Sequence, residues 1–77
     1  MENLLDFIVK NITGIDNYKI EKKEEAGRIL FILKLPSDFI GLVIGREGKC
    51  IKAIRSLLKI RATLENVRVD LNIEPTE

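Results

Sequence analysis

Hydrophobic residues recur at helical spacing at the start of the chain. Over residues 2–13 the apolar positions fall near one face, while Asp6 and Lys10 lie outside it. The apolar positions are Leu4, Leu5, Ile8 and Ile12. The pattern predicts an amphipathic helix over residues 2–13, and Gly14 is placed to end it because glycine readily adopts a left-handed conformation at a helix end.

Two extended segments follow this helix. Residues 18–24 alternate weakly, which indicates an exposed strand, and residues 25–27 carry a turn signal that ends in glycine. Residues 29–35 are apolar on both sides of the pleat, which is typical of a central strand. Pro36 then stops the strand, because proline has no N–H for a sheet. The short connection predicts an antiparallel hairpin.

Two helices are predicted next. Ser37 offers an N-cap for a short helix over residues 38–44, which Gly45 breaks. A longer helix is predicted over residues 48–60. We expect it to end before Arg61, because Arg61 falls inside the apolar arc of that helix.

The last segment has the period of a half-buried strand. After a loop at residues 63–66, one set of residues faces one way (Val67, Val69, Leu71 and Ile73) and the other set faces the opposite way (Arg68, Asp70, Asn72 and Glu74). Pro75 ends this strand.

The order of the predicted elements is α-β-β-α-α-β, and a right-handed crossover makes the last two strands parallel. The prediction is an α+β fold with a three-stranded mixed sheet and helices on one face.

The composition limits the possible chemistry. The 77 residues suffice for one domain, residues 1–77, with no histidine and a single cysteine, Cys50. These counts exclude a histidine-based catalytic triad, a Cys/His zinc site and a disulfide framework. No phosphate-binding Walker loop, dinucleotide motif or suitable acid pair is present, so no cofactor is expected and an enzyme is the least favoured class.

The N-terminus lacks the basic region of a signal peptide, and the longest apolar run, residues 29–33, is far too short to cross a membrane. One free thiol without a disulfide framework fits a reducing compartment. These features predict a cytoplasmic protein with no membrane partner.

Charge is concentrated in one part of the chain. Formal net charge is +1, but residues 41–61 carry +5 and the remainder carries −4. A local concentration of cations in a near-neutral chain indicates an anionic partner.

Gly45 and Gly48 lie between the two predicted helices and are flanked by Arg46 and Lys49. Glycine lets the main chain approach a ligand closely, and free N–H groups at the start of a helix suit phosphate. The alternative is a corner between two helices that uses glycine only to bend. The local sequence leaves both interpretations open.

The long helix has a cationic face opposite its apolar arc. The apolar arc comprises Cys50, Ile51, Ile54, Leu57 and Leu58, and the polar arc comprises Lys49, Lys52, Arg55, Ser56 and Lys59. Like charges at these spacings repel, and no acid interrupts them, which favours an anionic partner. Compensation of the helix dipole is the alternative for Lys59 and Arg61. Cys50 lies on the apolar arc without a base partner and is interpreted as a small core residue.

The segment Ile44-Gly45-Arg46-Glu47-Gly48-Lys49, followed by Ile51-Lys52-Ala53-Ile54-Arg55, resembles the signature of a KH domain. The G-x-x-G loop of that RNA-binding module clamps four backbone nucleotides. The α-β-β-α-α-β order matches type II, and nearly the whole chain is similar to small stand-alone bacterial KH proteins of the KhpA type. Glu47 departs from the pattern by placing an acid inside the loop.

The resemblance implies how RNA would be held. About four nucleotides of single-stranded RNA would lie in a narrow groove. The loop Gly45, Arg46, Glu47 and Gly48 would grip the backbone, the cations Lys49, Lys52, Arg55 and Lys59 would hold phosphates, and the aliphatic floor would be Ile40, Val43, Ile44 and Ile51. The resemblance also implies a role in post-transcriptional regulation or RNA chaperoning, and a homodimer or a heterodimer with another RNA-binding protein.

A protein-interaction module that keeps the fold but uses the groove for docking is the second hypothesis. The acid at Glu47 favours it, and so does a strand that is apolar on both faces. In a sheet covered by helices on one side only, Leu30, Phe31 or Ile32 would lack cover.

Overall fold

The computed structural model describes residues 1–76. Its elements follow the predicted order: α1 (Glu2–Thr13), β1 (Lys19–Glu25), β2 (Arg28–Leu35), α2 (Ser37–Ile44), one 3₁₀ turn (Arg46–Gly48), α3 (Lys49–Leu64) and β3 (Arg68–Pro75). The strand β2 is central, antiparallel to β1 and parallel to β3. The predicted hairpin, crossover and three-stranded mixed sheet are confirmed.

The three helices pack on one face of this sheet, and the core lies between them. Alternate residues of β2 point towards the helices: Ile29, Phe31, Leu33 and Leu35. They meet Leu5 and Val9 of α1, Val43 of α2, four residues of α3 (Ile51, Ile54, Leu58 and Ala62), and Val69 and Leu71 of β3. None of the helices within residues 1–76 is long and apolar enough to span a membrane.

The prediction that the long helix ends before Arg61 is wrong, because α3 continues to Leu64. Its buried stripe runs from Ile51 to Ala62 and leaves Leu57 out. The sequence prediction counted Leu57 as a core residue, and this shifted the predicted apolar face of α3 towards Arg61. In the structure Arg61 points outward, and its Nε donates to Glu65 at 3.0 Å. Residues 63 and 64, predicted as loop, belong to the last turn of α3.

The start of α2 also differs from the prediction by one residue. The helix begins at Ser37, and Pro36 occupies the N-cap position with φ −56° and ψ 139°. The N–H of Phe39 donates to the Pro36 carbonyl at 2.9 Å, so the first turn closes one residue earlier than a Ser37 N-cap requires.

The other face of the sheet carries no helix, yet it exposes little apolar area. Ile32 is only 7% exposed and Phe31 points into the core, so the expected lack of cover is wrong at these two residues, whereas Leu30 is half-buried. Beside Ile32, Glu21 accepts from the Lys34 Nζ at 2.8 Å, and this bond lowers the pKa of the Glu21 carboxyl. Long polar side chains thus cover an apolar residue that no helix reaches.

The turn between α2 and α3 depends on a close approach of main chain to main chain. Gly45 has φ 75° and ψ 174°, a conformation that is essentially restricted to glycine. A Cβ on Gly45 would lie 2.6 Å from the Cβ of Cys50 and 2.9 Å from its amide nitrogen. Gly48 also has a positive φ, 74°, but a Cβ there would meet only Ile51, at 3.9 Å. The two glycines therefore serve different purposes.

This difference predicts unequal costs of substitution. Gly48→Ala adds only the strain of a left-handed alanine, about 1–2 kcal/mol of unfolding free energy. We expect Gly45→Ala to cost clearly more, because the new Cβ also collides with the first turn of α3. Urea unfolding of the two variants measures this difference, and equal losses of stability would contradict the steric role of Gly45.

Candidate nucleic-acid interface

The 3₁₀ turn that links α2 to α3 presents main-chain donors to solvent. The N–H groups of Gly45, Gly48 and Lys49 donate to carbonyls of preceding residues: Gly45 to Gly41 at 2.8 Å, Gly48 to Gly45 at 3.1 Å, and Lys49 to Arg46. The N–H groups of Arg46 and Glu47 have no main-chain acceptor within residues 1–76. Two adjacent donors are thus left for a ligand at the start of a long helix, where the helix dipole favours an anion.

Cations surround these donors without acidic partners. Arg46, Lys49 and Lys52 are exposed, and none of them has a carboxylate within 4.0 Å in the described part of the chain. Glu47 is the one acid of the turn, and its φ of 56° is left-handed, a conformation that costs a non-glycine residue about 1–2 kcal/mol. Arg46 and Glu47 cancel within the turn itself, so the net positive charge around it comes from Lys49 and Lys52 at the start of α3, and the tip carries a strained acid.

The predicted aliphatic floor is divided between surface and core. Ile44 is exposed beside the loop and Ile40 is half-buried. Val43 has no exposed area and Ile51 is only 7% exposed, so these two support the surface from below rather than facing a ligand. Only Ile40 and Ile44 of the four offer apolar area to bases.

Arg55 has a partner that its place in the cationic stripe did not predict. Its Nη2 donates to the main-chain carbonyl of Leu71 at 3.0 Å. Leu71 belongs to β3, which is an edge strand of the sheet, so this bond ties α3 to the edge. Arginine has five N–H donors in a fixed fork, and four remain once this bond is made. A depression of about 380 Å³ lies beside it, lined by Arg55, Lys59, Leu30 and residues 69–72.

Sequence reasoning missed the part of this surface that β3 contributes. Residues 69–72 of β3, which include Asn72, line this depression together with Arg55 and Lys59 of α3. The alternation of β3 correctly placed Asn72 on the polar face, but it gave no sign that this strand would form an open edge beside α3. The position of β3 at the edge follows from the order of the strands in the sheet.

Exposed apolar residues collect on α3 rather than on the sheet. Leu57, Ile60 and Leu64 are 47%, 62% and 78% exposed, and their spacing of three and four residues places them on one side of the helix. We refer to these three residues as the α3 apolar row. Cys50, by contrast, is half-buried and packs against the core beside Gly45, in agreement with its interpretation as a packing residue.

Comparison with known proteins identifies the family. The model of the family described as KhpA/KhpB, KH domain, matches residues 2–73. A protein of Chlamydia pneumoniae named RNA-binding protein KhpA is 38% identical over 74 residues, which cover 95% of each chain. A protein of the same name from Clostridium acetobutylicum is 34% identical over 95% of this chain and 99% of its own. A third, from Borreliella burgdorferi, is 35% identical over 91% of this chain and 87% of its own.

These matches agree with the order of elements, the mixed sheet and the glycine turn between α2 and α3. The chain belongs to the KhpA/KhpB family of KH-domain proteins.

Proposed function

We propose that this protein binds single-stranded RNA, about four nucleotides at a time, through the turn at residues 45–48 and the cationic face of α3. The observation that carries the proposal is the pair of N–H groups at Arg46 and Glu47, which within residues 1–76 have no main-chain acceptor and are surrounded by cations without an acidic partner. The names of the relatives, which are RNA-binding proteins, support it.

The mechanism divides the work between main chain and side chains. Gly45 lets the turn pass close to α3. The N–H groups of Arg46 and Glu47, which have no main-chain acceptor in the described part of the chain, donate to one phosphate. Lys49 and Lys52 lie one helical turn apart and hold neighbouring phosphates, with Lys59 further along the helix. Main-chain and lysine contacts carry no base code, so these groups give affinity and not sequence preference.

The bases then lie between the loop and the edge of β3. Ile40 and Ile44 offer aliphatic surface, and Arg55 with Asn72 offers a few polar groups to base edges. Because only these few polar groups can hydrogen-bond to base edges, we expect the sequence preference to be modest. Such a binding module, rather than an enzyme, suits post-transcriptional regulation or RNA chaperoning, and one free cysteine fits the cytoplasm.

Replacing Arg46 and Glu47 together by aspartate tests the loop. We expect near-native circular dichroism, because both side chains are exposed, and loss of binding to a short uridine oligonucleotide by fluorescence anisotropy. For the wild type, three or four phosphate contacts predict a slope of log affinity against log salt of about −2 to −3. Affinity should then fall roughly 20- to 50-fold between 50 and 200 mM salt.

The matched control is Lys19→Asp, the same change of charge on exposed β1, away from the loop. It should retain most of the affinity. If the loop variant folds and binds RNA as well as this control does, or if wild-type affinity is independent of salt, the proposal is wrong.

A substitution at Glu47 is expected to raise RNA affinity rather than lower it. The Glu47 carboxylate repels a phosphate held at the neighbouring amides, so Glu47→Gln should raise RNA affinity about two- to fourfold at low salt. The gain should shrink as salt increases. Glu24→Gln, an exposed acid on β1, serves as the control and should leave the affinity nearly unchanged. A loss of affinity in the Glu47 variant would mean that this carboxylate assists binding.

The α3 apolar row favours a second role, self-association or pairing with another RNA-binding protein. Three exposed aliphatic residues on one side of a helix form a surface that a second helix could cover. The row does not include the cations proposed to hold phosphates, so both roles can coexist on α3.

Ile60→Glu tests this second role, because it places a charge in the middle of the row. If the row mediates self-association, sedimentation equilibrium should show a lower mean mass for this variant than for the wild type. Phe7→Glu is the matched control, since Phe7 is an exposed apolar residue of α1 outside the row. A wild-type protein that stays monomeric at high concentration would exclude the homodimer.

A further inference from the structure

The protein pairs its surface charges in some places and leaves them unpaired in others. Four ion pairs within residues 1–76 involve Lys10, Lys22, Lys34 and Arg61, each with a nearby acid. They lie on α1, on the β1–β2 hairpin and at the end of α3. Three further cations, Arg28, Lys59 and Arg68, have no carboxylate within 4.0 Å in the described part of the chain.

The register of the sheet brings two of these cations together. Arg28 opens β2 and Arg68 opens β3, and they are direct partners in the parallel ladder. Like charges at directly opposite positions destabilise a sheet. Glu25 stands opposite Arg28 on the other side, but no ion pair forms between them. The sequence places these arginines 40 positions apart, within the part of the chain whose net charge is negative. The distribution of charge along the sequence therefore gives no indication that the two arginines are neighbours.

Lys59 lies between this arginine pair and the depression beside Arg55. Arg28, Lys59 and Arg68 line one depression, together with Asp70 and residues of the α3–β3 connection. Lys59, Val69 and Asp70 also line the depression beside Arg55. The two depressions therefore adjoin along the edge of β3. Three cations against one acid give the second depression a net positive charge.

The arginine pair and the loop lie near opposite ends of α3. The helix starts at the loop and runs for 16 residues, about 24 Å, to the end of the sheet where β3 begins. Arg68 is the first residue of β3, so the arginine pair lies at the opposite end of α3 from Gly45. The cations of α3 thus extend from the loop to Lys59, and Arg28 and Arg68 line the adjoining depression near the far end of the helix.

We propose that Arg28 and Arg68 form a second phosphate-binding site next to Lys59, which holds nucleotides of the same RNA strand beyond the four gripped at the loop. This inference rests on the proposed function, since it extends the footprint of that RNA. It predicts that the protein prefers longer unpaired strands, and that the added affinity depends on residues outside the G-x-x-G segment.

The experiment compares uridine oligonucleotides of four and eight residues by fluorescence anisotropy in 0.1 M salt. An octamer offers a four-nucleotide site about five registers, so statistics alone raise its affinity about fivefold. We expect a larger gain for the wild type. Arg28→Gln combined with Arg68→Gln should weaken octamer binding about tenfold, should reduce its salt slope by about 1.4 for two lost phosphate contacts, and should leave tetramer binding unchanged.

The matched control is Lys19→Gln combined with Lys23→Gln, which removes the same charge from exposed lysines of β1, the other edge strand. Thermal melts verify that both double variants fold. Octamer binding that is equal in the two folded variants, or a wild-type gain of no more than fivefold, would overturn the second site and leave the loop site standing. A wild type that binds neither oligonucleotide would refute the proposed function, and the second site with it.

Discussion

The proposed binding surface depends on one close contact, the approach of the Gly45 main chain to Cys50 at the start of α3. No side chain can occupy the space where a Gly45 Cβ would lie, 2.6 Å from the Cys50 Cβ. Because the chain can pass there, α2 ends and α3 begins within a single 3₁₀ turn, and the N–H groups of Arg46 and Glu47 stay outside both helices. The same contact packs Cys50 beside the core.

Ion pairs are distributed unevenly between the proposed binding surface and the rest of the molecule. Acids are abundant on α1 and the hairpin, where ion pairs neutralise Lys10, Lys22 and Lys34. Among the described cations of α3 and the start of β3, only Arg61 has such a partner, Glu65, and Arg55 bonds to a neutral carbonyl instead. A chain with a net charge of only +1 can therefore present a positive field over one groove. Such a field attracts phosphate without making the whole surface basic.

The sequence predicted most of the fold, because each segment has a distinct period and clear end signals. Gly14 ends α1 with φ 70°, residues 26 and 27 form the hairpin turn, and the alternation of β3 marks its buried face. The end of α3 was wrong, because Leu57 looks like core on a helical wheel and only packing shows that it faces solvent. The Ser37 N-cap was wrong because Pro36, with its fixed φ, already starts the first turn.

The candidate site was predictable only where it is local in sequence. The loop and the cations of α3 lie within fifteen residues, and their spacing was enough to propose them. The Arg55 bond to Leu71, the contribution of Asn72 and the Arg28–Arg68 pair depend on strand order and register, which no local pattern encodes. The burial of Val43 below the proposed floor likewise follows from packing in the core, where α2 meets α1 and α3.

The most direct test of the central claim is an NMR titration of the ¹⁵N-labelled protein with a short single-stranded RNA. We expect the largest amide shifts at Arg46 and Glu47, with smaller ones along the edge of β3 and none on β1. Shifts confined to Leu57, Ile60 and Leu64, or an unchanged spectrum at saturating RNA, would contradict the claim that the glycine turn holds the RNA backbone.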